Sequence, residues 1–505
     1  MAIRPARDGG EEGGLDPVVL AAAFAALALR LAGLGRAPLW FDETYTATWV
    51  ALPWAEGLRE SLEANHLPLY FLLLGAWSAV AGTSPWALRL PGVLFSVATV
   101  PLVAAIARLA AGRDAGRRAA WLAAILPFAI HHAQEARMYA LVAMLAAATT
   151  LGLLRAIEPG GRGSSTALVA AGVALVASHY YGAVFVAVAV AILVANPEAR
   201  AERRGAIAAL VATVAVAAAL AWRFGKPEEA GARYDLGLSV LPGLAWAVVG
   251  GCTLVPQPAQ AHALGARAAL PWLPLAIPGL FAAGALVLFA RRAARPWAWW
   301  TLVGLAAASV ATPVAASMAV GGGTSPRYAS PGLPALAALL GAGMAFSRAH
   351  VARLVATAVV LASAALGSTL HVARPGHGRE AVDVAGAWID ANAAPGAPIV
   401  VTSEEMATLA RFHWPSRPVV PHPPFGVVAD EANATALADE LPFPAGERVL
   451  FVFGRDWLTD PAGALRAELA RRWRSCGGAE FEGIRVLCLE RASADPAVAN
   501  PPSPG

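Results

Sequence analysis

The chain of 505 residues is 57% hydrophobic and 14% charged, and its mean hydropathy is +0.56. Apolar surface of this extent needs lipid to cover it, so the composition excludes an ordinary soluble protein and predicts an all-α polytopic membrane protein. The net charge of +4 does not indicate nucleic acid, because the arginines form short clusters between apolar segments, as is typical of membrane topology. We expect membrane lipids and no nucleic acid as partners.

The first part of the chain predicts a leader and a membrane anchor. Residues 1–16 are polar and glycine-rich, which is typical of a disordered cytoplasmic segment. The apolar segment 18–34 lacks a convincing small-residue cleavage site, so we expect it to remain as the first span. It opens a predicted membrane domain over residues 17–370 and leads into a long outer loop, residues 36–87.

Two carboxylates, Asp42 and Glu43, lie early in this loop. A carboxylate pair just beyond a membrane span is placed where a general base can meet both a lipid substrate and a water-borne one. Alternatively, Asp42 is the N-cap of a short helix over residues 44–52, and Glu43 favours its positive end. Further along the loop, Trp54, Leu58 and Leu62 recur every four positions, which predicts a helix in the membrane interface.

The arginine clusters indicate how the remaining apolar blocks cross the membrane. If every cluster is cytoplasmic, each block between two clusters crosses twice. Block 119–154 then turns at residues 131–139, block 166–195 at 179–182, and block 297–347 at 321–328. Segment 240–255 is predicted to be re-entrant or at the surface, and the total is about eleven spans. Arms of roughly fifteen residues are shorter than the 20 usually needed, so the polar turns should lie at headgroup depth on the outer face.

The composition changes near residue 370, where charges, prolines and strand-like runs appear. Residues 371–492 predict a small extracytoplasmic α/β domain with strands at 398–402 and 448–453 and helices near 380–392 and 462–474. Glu482 and Gly483 fit the turn of a hairpin. Residues 493–505 are predicted to be a disordered tail.

The three cysteines, Cys252, Cys476 and Cys488, show no spacing typical of a zinc site. We therefore expect no cofactor, with a divalent cation left as an open alternative. Cys476 and Cys488 are compatible either with a disulfide in an oxidising compartment or with two free thiols.

Four motifs occur in order on the predicted outer face: Asp42-Glu43, His66-x-Pro68-x-Tyr70, the run from Gln134 to Tyr139, and Arg327-Tyr328. Together they resemble the bacterial polytopic glycosyltransferases with the GT-C fold, the superfamily of protein O-mannosyltransferases and aminoarabinose transferases. The resemblance covers about residues 15–350. Leu67 departs from it, because the family usually reads His-Pro-Pro there. The C-terminal domain matches only as a variable appendage.

The resemblance implies an inverting glycosyltransferase in the inner membrane. Its donor would be a polyprenyl-phosphate-linked monosaccharide, and its acceptor a hydroxyl of a protein, lipid or glycan on the outer side. The catalytic candidates are Asp42 as general base, with Glu43 and Glu135 holding the acceptor or the sugar. Arginine suits a phosphate because it offers paired donors. The candidates for the donor phosphate are Arg137, Arg327 and Lys226. The candidates for substrate binding are His66, Tyr70, Tyr139, His179, Tyr180 and Tyr328.

Several alternatives remain open from the sequence. Arg137 can mark a helix end, Lys226 can be a solvated loop charge, and the histidines and tyrosines can belong to the interfacial aromatic belt. A transporter or flippase for lipid-linked sugars is the main rival function, although the sequence shows no internal repeat of the kind common in transporters. A scaffolding subunit with a working exported domain is a third possibility.

Overall fold

The computed structural model describes residues 16–159, 164–224, 241–255, 265–320, 325–346, 350–374, 376–377, 379–424, 426–441, 443 and 447–491. The predicted leader, except Asp16, the predicted tail and Lys226 lie outside these residues. Helices dominate the chain up to residue 373, and all described strands follow residue 398. The exact domain boundaries stay predictions.

The first twelve helices follow one another with short connections. They are α1 (Pro17–Leu31), α2 (Phe41–Ala51), α3 (Trp54–Glu63), α4 (Leu69–Ala81), α5 (Pro85–Ala111), α6 (Arg113–Ile125), α7 (Pro127–Ala133), α8 (Tyr139–Ile157), α9 (Ser165–Ser178), α10 (Tyr180–Ala195), α11 (Pro197–Glu202) and α12 (Arg204–Phe224). Local sequence sets their ends. For example, α5 begins at Pro85 because the Ser84 hydroxyl caps the Ala87 N–H, and proline needs no donor at a first helical position.

Five further helices complete the membrane part: α13 (Leu241–Gly250), α14 (Leu273–Ala293), α15 (Pro296–Val320), α16 (Leu333–Ala345) and α17 (Val351–Ala373). A 3₁₀ segment, Pro326–Gly332, precedes α16. Helix α16 packs closely on α6, where a Cβ added at Gly341 would lie 2.6 Å from the Cβ of Ala119. Small residues thus bring these helices together, as is common between helices in membranes.

Six helices among the described residues are long and apolar enough to cross a membrane: Pro85–Ala111, Tyr139–Ile157, Arg204–Phe224, Arg267–Ala293, Pro296–Ala316 and Val351–Ala373. Four shorter apolar helices, α1, α4, α9 and α10, accompany them. The total of about eleven spans therefore stays a prediction. Helix α13 has 10 residues and is therefore about 15 Å long, which is half of a hydrocarbon core. That segment 240–255 is re-entrant or at the surface stays a prediction.

Two predicted turns are confirmed, and one predicted helix start is wrong. The chain breaks between α9 and α10 at His179, whose backbone is extended with φ −165° and ψ 142°. It also turns between α7 and α8, over residues 134–138. Helix α2, however, begins at Phe41 with Trp40 as its N-cap, so Asp42 lies in its first turn and does not cap it.

The C-terminal part folds around a five-stranded sheet. Its strands are β1 (Ile399–Val401), β2 (Val419–Pro421), β3 (Arg448–Phe453), β4 (Trp473–Phe481) and β5 (Ile484–Arg491), in the order β2-β1-β3-β5-β4. Strand β1 runs parallel to β2 and β3, and β5 runs antiparallel to β3 and β4. Its helices are α18 (Val382–Asn392), α19 (Glu404–His413), α20 (Ala434–Asp439) and α21 (Ala464–Arg472). The small α/β fold is confirmed.

The last two strands form the predicted hairpin. Glu482 and Gly483 connect them, and Gly483 has a φ of +71°, which favours glycine. Cys476 and Cys488 form a disulfide across the hairpin. The structure therefore shows the first of the two cysteine alternatives.

Candidate active site

Helix α2 presents Asp42 and Glu43 to different surroundings. Neighbouring residues of an α-helix are turned by about 100° from each other, so adjacent side chains meet different partners. The Asp42 side chain remains 13% exposed and pairs with Arg327, whereas Glu43 is fully buried and pairs with Arg89. Of these two carboxylates, only that of Asp42 is therefore partly accessible.

Arg327 brings a cation to Asp42 from the 3₁₀ segment before α16. Its Nη1 donates to Oδ2 of Asp42, and its guanidinium carbon lies 5.7 Å and 5.6 Å from the ring centres of Tyr139 and Tyr328. Its Nε–H is buried and has no partner among the described residues. This ion pair joins two parts of the chain that are 285 positions apart.

The surroundings of Asp42 favour its ionised form. Burial would raise the pKa of this carboxyl, but the guanidinium groups of Arg327, Arg137 and Arg455 outweigh burial and hold the pKa below its ordinary value. A carboxylate that stays ionised at neutral pH is able to accept a proton.

Arg137 reaches the same place from the turn between α7 and α8. Its Nη1 donates to the backbone oxygen of Asp42 and to Oγ1 of Thr46, both at 3.2 Å. Its Nη2 lies 2.7 Å from Nε2 of His66, and since arginine only donates, this nitrogen of His66 accepts. The Nε–H of Arg137 is buried without a partner among the described residues. Arg137 and Arg327 thus each keep one donor for an anion.

His66 is held as a neutral ring. Its Nδ1 lies 2.7 Å from the backbone oxygen of Ala64 and donates to it, so the proton sits on Nδ1. Burial and the nearby Arg137 lower the pKa of His66 to about 3. The imidazole therefore supports Arg137 without adding a positive charge.

Glu43 connects α2 to α5 and to the turn between α7 and α8. Its two oxygens accept from Nε and Nη2 of Arg89 at 2.8 Å and 2.6 Å, and from the backbone N–H groups of Ala136 and Trp40 at 2.7 Å and 3.3 Å. Arg89 in turn donates to the carbonyls of Leu34, Ala37 and Pro38. All of these contacts are buried or partly buried, so Glu43 has no oxygen left for a sugar or an acceptor, contrary to its place among the catalytic candidates.

The turn over residues 134–138 is held from several sides. The side-chain amide of Gln134 donates to the carbonyls of Arg30 and Ala32, and its oxygen lies 2.9 Å from Nε2 of His371. The backbone of α5 approaches at Gly92, where an added Cβ would lie 2.8 Å from the oxygen of Ala133. Such a support fixes the position of Arg137, as a preorganised site requires.

Aromatic rings line the space beside Arg327. The ring centre of His179 lies 5.8 Å from that of Tyr139 and 5.9 Å from that of Tyr328. The ring centre of Tyr181 lies 4.9 Å from that of Tyr328. Tyr180, which we selected from the sequence and which begins α10, takes no part in these described ring contacts. Tyr70 is 1% exposed and packs on Phe71, and its buried hydroxyl has no hydrogen-bond partner among the described residues.

Glu135 lies between two imidazoles. Its Oε1 is 3.2 Å from Nε2 of His131, and its Oε2 is 2.8 Å from Nδ1 of His132. The ring of His132 lies 5.3 Å from that of Tyr139, which places this cluster next to the aromatic lining. A narrow pocket continues from here into the helices and is lined in part by Arg30, Ser96, His132, Tyr139 and Ser330.

The C-terminal domain contacts α2 directly. Oε2 of Glu380 accepts from the backbone N–H of Phe41 at 3.3 Å, and Oε1 of the same residue accepts from Nε of Arg455 at 2.8 Å. The Arg455 guanidinium lies 4.0 Å from the ring centre of Phe41. Nη2 of Arg379 donates to the backbone oxygen of Gln134. The domain therefore holds both segments that carry Asp42 and Arg137.

The sequence reasoning missed several residues that build the site. Arg89 and Arg30 are both fully buried and are important to the packing of α5, α1 and α6. Each is a lone charge inside an apolar run, and that signal alone marks a residue with a specific partner. Tyr181, Arg379 and Glu380 carry no comparable signal, because their roles depend on how distant elements meet.

Known proteins with a similar sequence or structure agree with this architecture. Residues 65–222 match the family model described as dolichyl-phosphate-mannose-protein mannosyltransferase. The crystal structure of ArnT from Cupriavidus metallidurans bound to undecaprenyl phosphate is similar to this chain with a TM-score of 0.52 and 18% identity, over 94% of this chain and 98% of that chain. The chain has the GT-C fold.

A second GT-C structure agrees. Archaeal oligosaccharyltransferase AglB from Archaeoglobus fulgidus, in complex with an inhibitory peptide and a dolichol-phosphate, matches with a TM-score of 0.50 and 13% identity, over 96% of this chain and 75% of that chain. A search of curated protein sequences finds no match. The apolar helices and the GT-C fold identify a multi-pass membrane protein.

Proposed function

We propose that this GT-C protein is an inverting glycosyltransferase of the inner membrane that moves a monosaccharide from a polyprenyl phosphate to an acceptor hydroxyl on the outer face. The observation that carries the proposal is the meeting of one ionised carboxylate, Asp42, with two arginines, Arg137 and Arg327, beside an aromatic lining. The ArnT and AglB structures contain undecaprenyl phosphate and dolichol-phosphate, and both ligands support a polyprenyl-phosphate donor.

The arginines suit the donor phosphate. Each has a buried Nε–H without a partner among the described residues, so each can donate to a phosphate oxygen at little cost in other contacts. Negative charge grows on the phosphate as the glycosidic bond breaks, and fixed cations at that point stabilise the transition state more than the bound substrate. Arg137 is held in place by Asp42, Thr46 and His66, and so costs little reorganisation.

Asp42 suits the acceptor. The acceptor oxygen attacks the anomeric carbon, the bond from that carbon to the phosphate oxygen breaks, and its electron pair stays on the departing polyprenyl phosphate. The acceptor proton passes to the Asp42 carboxylate. One displacement of this kind inverts the anomeric configuration. The aromatic side chains of Tyr139, His179 and Tyr328 offer the sugar a flat apolar face and polar edges.

The remaining candidates take supporting roles in this proposal. Glu43 positions α2 and the turn that carries Arg137, because all its contacts are with the protein. His66 orients Arg137. Lys226, outside the described residues, remains a further candidate for the donor phosphate.

The Asp42→Asn variant tests the proposal. The full-length protein in nanodiscs is supplied with polyprenyl-phosphate sugars and candidate acceptors, and the release of polyprenyl phosphate and the glycosylated product are measured. We expect transfer to fall about 10²- to 10⁴-fold, the usual contribution of a general base. Donor binding should persist, since Arg137 and Arg327 remain. Asp114→Asn is the matched control, because Asp114 is exposed at the start of α6 and should leave the rate unchanged.

Full transfer activity in Asp42→Asn would remove Asp42 from its role as the base. Donor binding without any transfer in the wild-type protein, together with movement of the lipid between leaflets, would instead indicate a flippase. Mass spectrometry of surface glycans and glycoproteins from cells with and without the gene identifies the sugar and the acceptor together.

A further inference from the structure

Three potential metal ligands meet at the end of α7. His131 and His132 occupy its last turn, and Glu135 follows in the next turn of the chain. The ligand atoms of the three side chains all lie within 4.8 Å of one another. The two contacts of Glu135, 3.2 Å to His131 and 2.8 Å to His132, are close to the spacing of about 3.3 Å between ligands around a tetrahedral zinc ion.

Glu135 is buried next to the two imidazoles. The Glu135 side chain is only 4% exposed, and its ion-pair partners in the described part of the chain are the two imidazoles, without an arginine or a lysine. The guanidinium groups of Arg327 and Arg379 act on Glu135 from a greater distance. A bound cation would give this carboxylate a direct partner at the point where the three side chains converge.

The site is also rigid before any ligand binds. Gln134, between the histidines and Glu135, is hydrogen-bonded to α1 and to His371, and α5 presses against this turn at Gly92. The N–H of Ala136, directly after Glu135, donates to Glu43. Side chains that are already fixed bind a metal more readily than the mobile side chains of a surface cluster, because they lose less conformational entropy on binding.

We propose that His131, His132 and Glu135 bind one divalent transition-metal ion, for which zinc is the best match. Two imidazoles and one carboxylate are a donor set that zinc uses, whereas magnesium and calcium prefer oxygen ligands alone. The ring of His371 lies 5.2 Å from that of His131, but its Nε2 contacts Gln134, so it supports the turn and leaves the fourth position to water or a substrate oxygen.

The metal would fix the turn that carries Arg137. It would also lie beside Tyr139, at the edge of the space proposed for the sugar, because His132 contacts that ring. The site itself does not depend on the transfer activity, and its test measures metal rather than product.

The experiment uses the full-length protein, purified in detergent through a tag without histidine. The protein is stripped with a chelator, incubated with zinc, desalted and analysed by mass spectrometry for metal per chain. We expect about one zinc ion per chain for the wild type and less than about a tenth of that for His132→Ala and Glu135→Gln. His350→Ala is the control, because His350 is exposed at the start of α17 and should keep the full metal content.

A second measurement covers variants that fail to fold. Cobalt(II) is added to the stripped wild-type protein, and the strong visible absorption of a four-coordinate site should appear and then vanish when zinc is added. A wild-type protein that retains no zinc and gives no such cobalt spectrum would overturn the proposal. The same holds if His132→Ala and Glu135→Gln are folded and still bind as much zinc as the wild type.

Discussion

Asp42 faces three guanidinium groups and one neutral imidazole. Arg327 pairs with it directly, Arg137 holds its backbone, Arg455 approaches from the C-terminal domain, and His66 lies behind Arg137. The positive charges keep the carboxylate ionised, although burial opposes this. The proposed base should therefore work over the whole neutral range and fail only in acid.

Removing one of these cations should move the acid limb of the pH profile. A base acts while it is ionised, so activity is lost as the pH falls through its pKa, which in the wild type lies below the ordinary value of about 4. Replacing Arg455 with glutamine takes away a positive charge and raises that pKa. We expect the acid limb of kcat/KM in Arg455→Gln to move to higher pH.

The pH dependence of Arg411→Gln provides the comparison. Arg411 is 51% exposed on α19 and pairs with Glu404, so its loss should leave the profile in place. Equal profiles for the wild type and Arg455→Gln would show that another group sets the acid limb.

The buried ion pair of Glu43 and Arg89 contributes to the stability of the protein. Both side chains are 0% exposed, and removing one partner leaves the other charge buried. We expect Glu43→Gln to lower the free energy of unfolding by about 3–5 kcal/mol, a usual cost of breaking a buried pair. Thermal unfolding in detergent measures this loss, and the double variant Glu43→Gln with Arg89→Met should recover part of it. A catalytic Glu43 would instead leave stability unchanged and reduce the rate alone.

Much of the meeting of Asp42, Arg137 and Arg327 was predictable from the sequence, because charges between apolar segments must collect where they are solvated or paired. The different roles of Asp42 and Glu43 were not predictable from the sequence. It depends on the rotation of α2 and on Arg89 from α5, and no local pattern encodes that contact. The same reason explains why Tyr181 rather than its neighbour Tyr180 joins the aromatic lining.

Helix α5 packs against the turn over residues 134–138 at Gly92, which has no side chain. At Gly92 an added Cβ would lie 2.8 Å from the oxygen of Ala133 and 3.3 Å from that of Glu135. We expect Gly92→Ala to destabilise the protein by about 1–3 kcal/mol, as overpacking usually does, and to reduce transfer because Arg137 moves with the turn. Thermal unfolding and transfer rates measure both effects.

Gly75→Ala is the matched control for this substitution. Gly75 lies inside α4, and an added Cβ there meets nothing within 4 Å. Alanine is the better helix former by about 1 kcal/mol, so this variant should be equal to or more stable than the wild type. If Gly92→Ala behaves like Gly75→Ala, the turn does not depend on the close approach of α5.

The breaks between helices were easier to predict than their number. The polar run at residues 179–182 interrupts an apolar block, and the structure breaks there. The start of α2 was placed too late, since Phe41 and Trp40 carry no capping signal. The count of spans depends on tilt and depth for helices as short as α9, with 14 residues, and the sequence does not encode these directly.

The C-terminal domain contacts α2 and the turn over residues 134–138 through specific side chains. Glu380 accepts from the first N–H of α2 and holds Arg455 over Phe41, while Arg379 contacts the turn next to Arg137. We expect Glu380→Ala to lower kcat about tenfold or more, because displacement of a reacting group by 1 Å has effects of up to about 10². Donor affinity should change less, since both arginines that we propose for the phosphate remain.

Glu480→Ala is the control for this variant. Glu480 is 70% exposed on β4 and pairs with Arg485, so its removal should leave kcat unchanged. A Glu380→Ala protein with the wild-type kcat would show that Glu380 does not position α2.

The pairing of Asp42 with Arg327 also sets an order of events. While the carboxylate neutralises this arginine, neither group is fully available, and an incoming alcohol meets a base that is already engaged. Under the proposed function, a lipid phosphate would compete for the arginine and release the carboxylate, so we expect the lipid to enter first. Initial-rate kinetics would then be ordered, and water would find no activated base in the resting protein.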